Sequence, residues 1–126
     1  MENKITTFES LECYKVGVEL RKEISILVKL FPIEEKYRLA DQMIRCSRSV
    51  TNNIAEGYGR FHYLDNAKFC RNSRGSLMEL LDHLLIAYES EYITLEQLTA
   101  YRQKINKNNA LINCYIQYLL KAKKES

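Results

Sequence analysis

The chain of 126 residues has a net charge of +3 and contains one proline, four glycines and no tryptophan. This length fits one domain, and a single proline leaves room for long helices. No stretch approaches the roughly 18 uncharged apolar residues of a membrane span, and residues 1–7 lack the basic and apolar regions of a signal peptide. The sequence therefore predicts one cytoplasmic domain, residues 1–126, with no membrane partner.

The cysteines and histidines do not form a recognisable chemical site. Cys13, Cys46, Cys70 and Cys114 are widely spaced, and we expect all four to be reduced and buried as small apolar residues. Glu79 and His83 are four residues apart, whereas metal bundles need paired Glu-x-x-His motifs. The chain also lacks a glycine-rich phosphate loop. We expect no metal, no cofactor and no enzymatic activity.

The first two predicted helices cover about residues 7–30 and 33–57. Thr6 and Glu9 have the spacing of a capping box, with Thr6 as the N-cap. Apolar residues then recur at helical spacing until Pro32, which also suits the first position of the next helix. Glycines at 57 and 59 are expected to end that helix. Because the connection is so short, the two helices are predicted to be antiparallel neighbours.

The third predicted helix covers about residues 62–90 and is apolar on nearly every side between Leu77 and Tyr88. A helix with such a pattern must be covered on more than one face. We expect a subunit interface here, and the alternative is a thick stripe of core residues. The predicted interface residues are Leu77, Leu81, Leu85 and Tyr88.

The fourth predicted helix covers about residues 94–122 and opens at a second capping box, Thr94 with Gln97. Four asparagines in its middle are poor helix formers. Three lysines near its end favour the helix dipole, and we expect them to continue as a frayed basic tail.

Charge is distributed in four blocks. Residues 1–35, 36–74, 75–101 and 102–126 carry net charges of −2, +5, −5 and +5. Such asymmetry suits an anionic partner, oppositely charged neighbouring subunits, or simply solvated helix faces. The candidate nucleic-acid-binding residues are the basic groups of helix 2 and helix 4, namely Arg38, Arg45, Arg48, Arg102, Lys104, Lys107, Lys121, Lys123 and Lys124.

Small polar residues and a glycine interrupt the patterns of helices 2 and 3. Short polar side chains near a helix end bond free carbonyls or a facing helix. We therefore predict a fixed polar network between these helices, in which Gly75 permits their close approach. The predicted members are Asn52, Asn53, Glu56, Arg74, Gly75 and Ser76.

Five short motifs that span most of the chain carry a family resemblance. They are Phe8-x-x-Leu11, Phe31-Pro32-x-x-Glu35-x-Tyr37-x-Leu39, Gln42-Met43-x-Arg45, Asn53-Ile54-Ala55-Glu56-Gly57-x-Gly59-Arg60 and Arg74-Gly75-Ser76-Leu77-x-Glu79-Leu80. Together they resemble the four-helix bundle family of proteins encoded in intervening sequences of 23S ribosomal RNA genes. The accessory variability determinant of diversity-generating retroelements belongs to the same family.

The resemblance implies an all-α, antiparallel up-down four-helix bundle that assembles into a homopentameric ring. For the retroelement member it also implies a basic surface that binds nucleic acid and a partner reverse transcriptase. We therefore expect a non-enzymatic oligomeric binding protein whose partners are itself, RNA or DNA, and a nucleic-acid enzyme such as a reverse transcriptase. The alternative is a structural scaffold whose basic residues form ion pairs between subunits and bind no nucleic acid.

The chain departs from the family pattern at three positions in helices 1 and 2. Tyr14 stands where the family often has tryptophan, Gly17 where it has alanine, and Thr51 where it has proline. The first two departures are expected to soften the packing of helix 1. Thr51 is expected to leave helix 2 less interrupted.

Overall fold

Four α-helices form the part of the chain that the computed structural model describes, residues 7–126, and this part contains no strand. The helices are α1 (Glu12–Leu27), α2 (Leu39–Gly59), α3 (Tyr63–Glu89) and α4 (Leu95–Glu125). α1 packs against α2 and α4, and α3 packs against the same two helices. Consecutive helices are neighbours joined by connections of at most 11 residues (28–38), so the bundle is antiparallel. None of these helices has the length and apolar character that a membrane crossing requires.

α1 begins later than the sequence predicted. Thr7 accepts a hydrogen bond from the backbone N–H of Glu9 and starts a 3₁₀ turn, Phe8–Ser10. Leu11 is then extended, with φ −71° and ψ 132°, and α1 starts after it. The predicted N-cap, Thr6, lies outside the described residues.

α2 also begins later than predicted, because Glu35 caps it from outside the helix. Residues Val28–Leu30 and Ile33–Glu35 form two 3₁₀ turns, and Pro32 between them is extended. One carboxylate oxygen of Glu35 accepts a hydrogen bond from Leu39 N (3.2 Å), and the other accepts from the Tyr92 hydroxyl (2.8 Å). A carboxylate is favourable at this positive end of a helix, so α2 starts at Leu39 and not near residue 33.

The capping box predicted for α4 is confirmed. Thr94 Oγ1 accepts from Gln97 N (3.1 Å), and Gln97 Oε1 accepts from Thr94 N (2.8 Å). The expected frayed tail is wrong, because α4 continues to Glu125 and includes all three lysines. Lysine is a good helix former and favours the negative end of the helix dipole.

The apolar half of α3 is mainly core. Leu77, Leu80, Leu84 and Ala87 are fully buried within the bundle. Leu77 therefore cannot reach a second copy, and its assignment to a subunit interface was wrong. Leu81 and Leu85 are half-buried against the same core, and Tyr88 is 38% exposed. The thick core stripe, which was the alternative, accounts for most of the pattern.

Close helix contact occurs at Gly57 and not at Gly75. A Cβ atom on Gly57 would lie 2.7 Å from Asn66 Oδ1 and 3.0 Å from the Asn66 carbonyl oxygen. The Asn66 amide donates to the Tyr115 hydroxyl (3.0 Å), which fixes it in place. Gly75 is exposed, and a Cβ there would meet nothing within 4 Å. The predicted close approach at Gly75 was therefore wrong, and α2 approaches α3 through Gly57.

Alanine substitutions at these two glycines should have opposite effects. Gly57→Ala should lower the free energy of unfolding by about 1–3 kcal/mol, because backbone atoms block the new methyl group. Gly75→Ala should raise it by up to about 1 kcal/mol through helix propensity alone. Chemical denaturation of both variants measures the difference. A stabilised Gly57→Ala variant would contradict the packing described here.

A second stability prediction concerns the end of α3. Tyr92 N donates to Ala87 O and Glu91 N donates to Tyr88 O, which is the hydrogen-bond pattern of a Schellman motif. Glu91 has the left-handed φ of 64° that this motif favours for glycine. We expect Glu91→Gly to stabilise the fold by about 0.5–1 kcal/mol, measured by denaturation. Ser90→Gly, where φ is −84°, is the control and should destabilise.

Candidate nucleic-acid interface

The exposed surface of α4 carries positive charge in two clusters, at residues 102–107 and at residues 121–124. From residue 97 to residue 124 the sequence contains no aspartate or glutamate. Arg102 and Lys121 are separated by about 28 Å along the helix, at about 1.5 Å per residue. Five basic side chains on α4 are exposed and have no carboxylate partner within residues 7–126; they are Arg102, Lys107, Lys121, Lys123 and Lys124. We call these residues the α4 basic face.

Lys104 differs from its neighbours on α4. Its ammonium group forms an ion pair with Glu23 of α1 and lies 5.5 Å from the centre of the Tyr101 ring. This side chain therefore joins α4 to α1. Among the α4 residues that the sequence predicted to bind nucleic acid, Lys104 therefore already has a carboxylate partner, Glu23.

The basic residues of α2 lie among carboxylates. Arg45 Nε is 2.9 Å from Asp41 Oδ2, one helical turn away. Arg38 and Arg48 are exposed and have no carboxylate partner in the described part of the chain. The surface of α2 is thus mixed in sign, and Arg38 and Arg48 are its two arginines without a carboxylate partner among residues 7–126.

A polar network does join α2 to α3, and its centre is Ser49. Ser76 Oγ donates to Ser49 Oγ (2.9 Å), and Asn53 Nδ2 contacts both Ser49 Oγ (3.0 Å) and Ser49 O (2.8 Å). The Cys46 thiol donates to the Ser76 carbonyl oxygen (2.9 Å). Ser73 Oγ donates to Val50 O (2.7 Å). Of the predicted members, Asn53 and Ser76 belong to this network.

Four other predicted members lie outside the network. Asn52 and Gly75 are exposed, so neither reaches the facing helix. Glu56 forms an ion pair with Arg60 on its own helix (2.8 Å). Arg74 Nη1 donates to Asn113 Oδ1 (2.7 Å), which joins α3 to α4 instead of α2. Ser49, Cys46 and Ser73 were missed, although their small side chains at helical spacing were the signal for a close polar contact.

Gly17 and Thr51 form a contact that sequence reasoning misjudged. A Cβ on Gly17 would lie 2.8 Å from Thr51 Cγ2, so the missing side chain makes room for the threonine. Thr51 Oγ1 accepts a hydrogen bond from Arg21 Nη1 (2.7 Å) and donates to Arg48 O (3.1 Å). Gly17 therefore tightens the contact between α1 and α2 and does not soften it.

Three of the cysteines are buried, as expected, and the fourth is not. Burial raises the pKa of the Cys13 thiol to about 11 and the pKa values of the Cys46 and Cys70 thiols to about 12. Cys114 is exposed on α4, so its predicted burial was wrong. Within residues 7–126 no group of three or more histidine, cysteine or acidic side chains is arranged to hold a metal ion.

Comparisons with known proteins agree with this architecture. A family model described as 23S rRNA-intervening sequence protein matches residues 9–114. A crystal structure of a protein of unknown function, from the S23 ribosomal protein family of Bacteroides thetaiotaomicron, is similar with a TM-score of 0.76. The two sequences are 23% identical, and the match covers 83% of this chain and 95% of the other. No curated protein sequence matches this chain.

Alkylation should distinguish the exposed thiol from the buried ones. Iodoacetamide at pH 8 should modify Cys114 in the folded protein and spare Cys13, Cys46 and Cys70, because the thiolate is the nucleophile and burial suppresses it. Peptide mass spectrometry identifies the modified cysteines. Equal modification of all four thiols would contradict the burial.

The same burial predicts how stability depends on pH. Folding raises the pKa values of the three buried thiols above 9.0, so the free energy of unfolding should decrease as the pH rises past 9.

Proposed function

We propose that this chain, which belongs to the 23S rRNA-intervening sequence protein family, is a non-enzymatic homo-oligomer that binds RNA or DNA through the α4 basic face. The observation that carries the proposal is the run from residue 97 to residue 124, which has no carboxylate and carries five exposed cations that are unpaired within residues 7–126. A phosphate backbone is a polyanion long enough to contact the cations at both ends of this run.

Binding through this face would depend weakly on base sequence. Lysine side chains contact phosphates as point charges, and phosphate contacts position a protein without reading bases. Exposed amides between the cations, such as Gln103 and Asn106, add hydrogen-bond donors to the same surface. The α2 arginines are the second candidate, and they are less favoured because Asp41 and Glu56 lie on the same helix.

Oligomerisation would strengthen such binding. A ring, with five copies as the family resemblance implies, repeats each weak site, and the repeated sites bind one polyanion with higher avidity. An accessory role beside a nucleic-acid enzyme such as a reverse transcriptase fits the same surface and forms part of this proposal.

The rival function is a scaffold whose ion pairs form between copies. One observation favours it: Glu79, Asp82, Glu89, Glu91 and Glu96 are all exposed, and none pairs with lysine or arginine within the described residues. Both halves of an intersubunit pairing are therefore available on one chain. The two functions differ in whether nucleic acid binds at all.

Charge removal at matched positions tests the proposal. Lys107→Gln and Lys121→Gln should each reduce the slope of log affinity against log salt by about 0.7–0.9, since each removes one phosphate contact. Lys104→Gln is the control and should leave the slope nearly unchanged, because Glu23 already holds that ammonium group. Fluorescence anisotropy with a structured RNA and a duplex DNA, at about 50 and 200 mM salt, measures the slope.

The outcomes separate the two functions and the two surfaces. No binding by the wild-type oligomer at the lower salt would reject nucleic-acid binding and leave the scaffold. Binding that is insensitive to the α4 variants but weakened by Arg48→Gln, and not by the paired control Arg45→Gln, would move the site to α2.

A further inference from the structure

We propose that the apolar groove beside the α1–α2 connection receives the α3–α4 connection of a second copy of this chain, so that the copies join head to tail. This inference rests on the homo-oligomer proposed above and specifies its interface. It differs from the interface predicted from the sequence, which lay along the C-terminal half of α3 between Leu77 and Tyr88.

The groove has an apolar floor and a basic rim. Its volume is about 360 Å³, and its lining includes Val28, Phe31, Ile33 and Ile44. Lys29 and Lys36 also line it, and both are exposed without a carboxylate partner in the described part of the chain. Ile33 is 77% exposed, as is the nearby Leu30. These exposed apolar side chains favour a partner that covers them with an apolar side chain. The two lysines at the rim favour a partner with negative charge.

The α3–α4 connection offers both of these features. Leu95, the first residue of α4, is 59% exposed. It lies in sequence between Glu91 and Glu96, which are exposed and unpaired within residues 7–126. An exposed leucine flanked by carboxylates complements an apolar groove flanked by lysines. The matching of both polarity and charge favours a second copy over an uncharged small molecule.

The positions of the two features suit a heterologous contact. α1 and α2 are neighbours on one side of the bundle, and α3 and α4 are neighbours on the other. Because the helices alternate in direction, both connections lie at the same end. Each copy therefore presents one groove and one acidic connection at the same end, where Tyr92 of the connection packs against Phe31 of the groove lining, with 5.3 Å between the ring centres. A contact between unlike surfaces of this kind generates a ring when its rotation closes.

A charge exchange tests the contact. Lys36→Glu and Glu96→Lys, each alone, should weaken association by about tenfold or more, because each places like charges together. The double variant should recover most of the wild-type association. Lys22→Glu is the control and should leave association unchanged, because Lys22 of α1 lies outside the groove, is exposed and has no carboxylate partner among the described residues. Sedimentation velocity over a concentration series measures association, and circular dichroism checks that each variant is folded.

An apolar substitution gives an independent measurement. Ile33→Asn should weaken association without unfolding the chain, because Ile33 is 77% exposed. Phe61→Asn is matched to it, since Phe61 is 88% exposed at the opposite end of the bundle and should not affect association.

The possible results separate the proposed interface from the proposed homo-oligomer. If the wild type associates and the substitutions in the groove and the connection do not weaken that association, the interface is wrong and the homo-oligomer remains. A wild-type monomer at every concentration would overturn both. Single variants that dissociate without recovery in the double variant would also overturn the pairing, because the two side chains then act at different contacts.

Discussion

The contact between α2 and α3 is the constraint on which the rest of the bundle depends. It is the most extensive contact between any two helices, and Gly57 allows α2 to lie directly against the backbone of Asn66. Three hydrogen bonds between the helices then fix how one is placed along the other: Ser76 to Ser49, Cys46 to Ser76, and Ser73 to Val50. With these two helices fixed, α1 packs on α2, α4 packs on α3, and α1 and α4 contact each other to close the bundle. The surfaces proposed for binding lie on elements that this pair positions.

Local signals in the sequence were sufficient for the elements whose ends are capped by their own neighbours. α3 and the start of α4 fall where the pattern placed them, and the Thr94 box uses a residue only three positions away. The start of α2 could not be placed in this way. Its cap, Glu35, is held by a hydroxyl on Tyr92, which is 57 residues distant in the sequence. A motif such as Arg-Gly-Ser around Gly75 was equally misleading, because spacing alone does not tell which glycine faces another helix.

At the candidate binding surface, too, ion pairs between residues close in sequence could be predicted, whereas ion pairs between distant residues could not. The pairing of Arg45 with Asp41 follows from their i,i+4 spacing and was available from the sequence. The pairing of Lys104 with Glu23 joins residues 81 positions apart and required the fold. Such partners decide which cations remain available to an anion. Composition therefore located the basic blocks correctly but could not distinguish a neutralised lysine from a free one.

The buried amide of Asn108 has a consequence for the order in which the chain folds. Asn108 Nδ2 donates to the carbonyl oxygen of Cys13 (3.0 Å), across 95 residues of sequence. This hydrogen bond joins α1 to α4. Because α1, α2 and α3 are synthesised before Asn108, the apolar side of α1 that faces α4 stays open to water until α4 has been made and has docked. Docking of α4 on α1, more than the formation of any hairpin, completes this bundle.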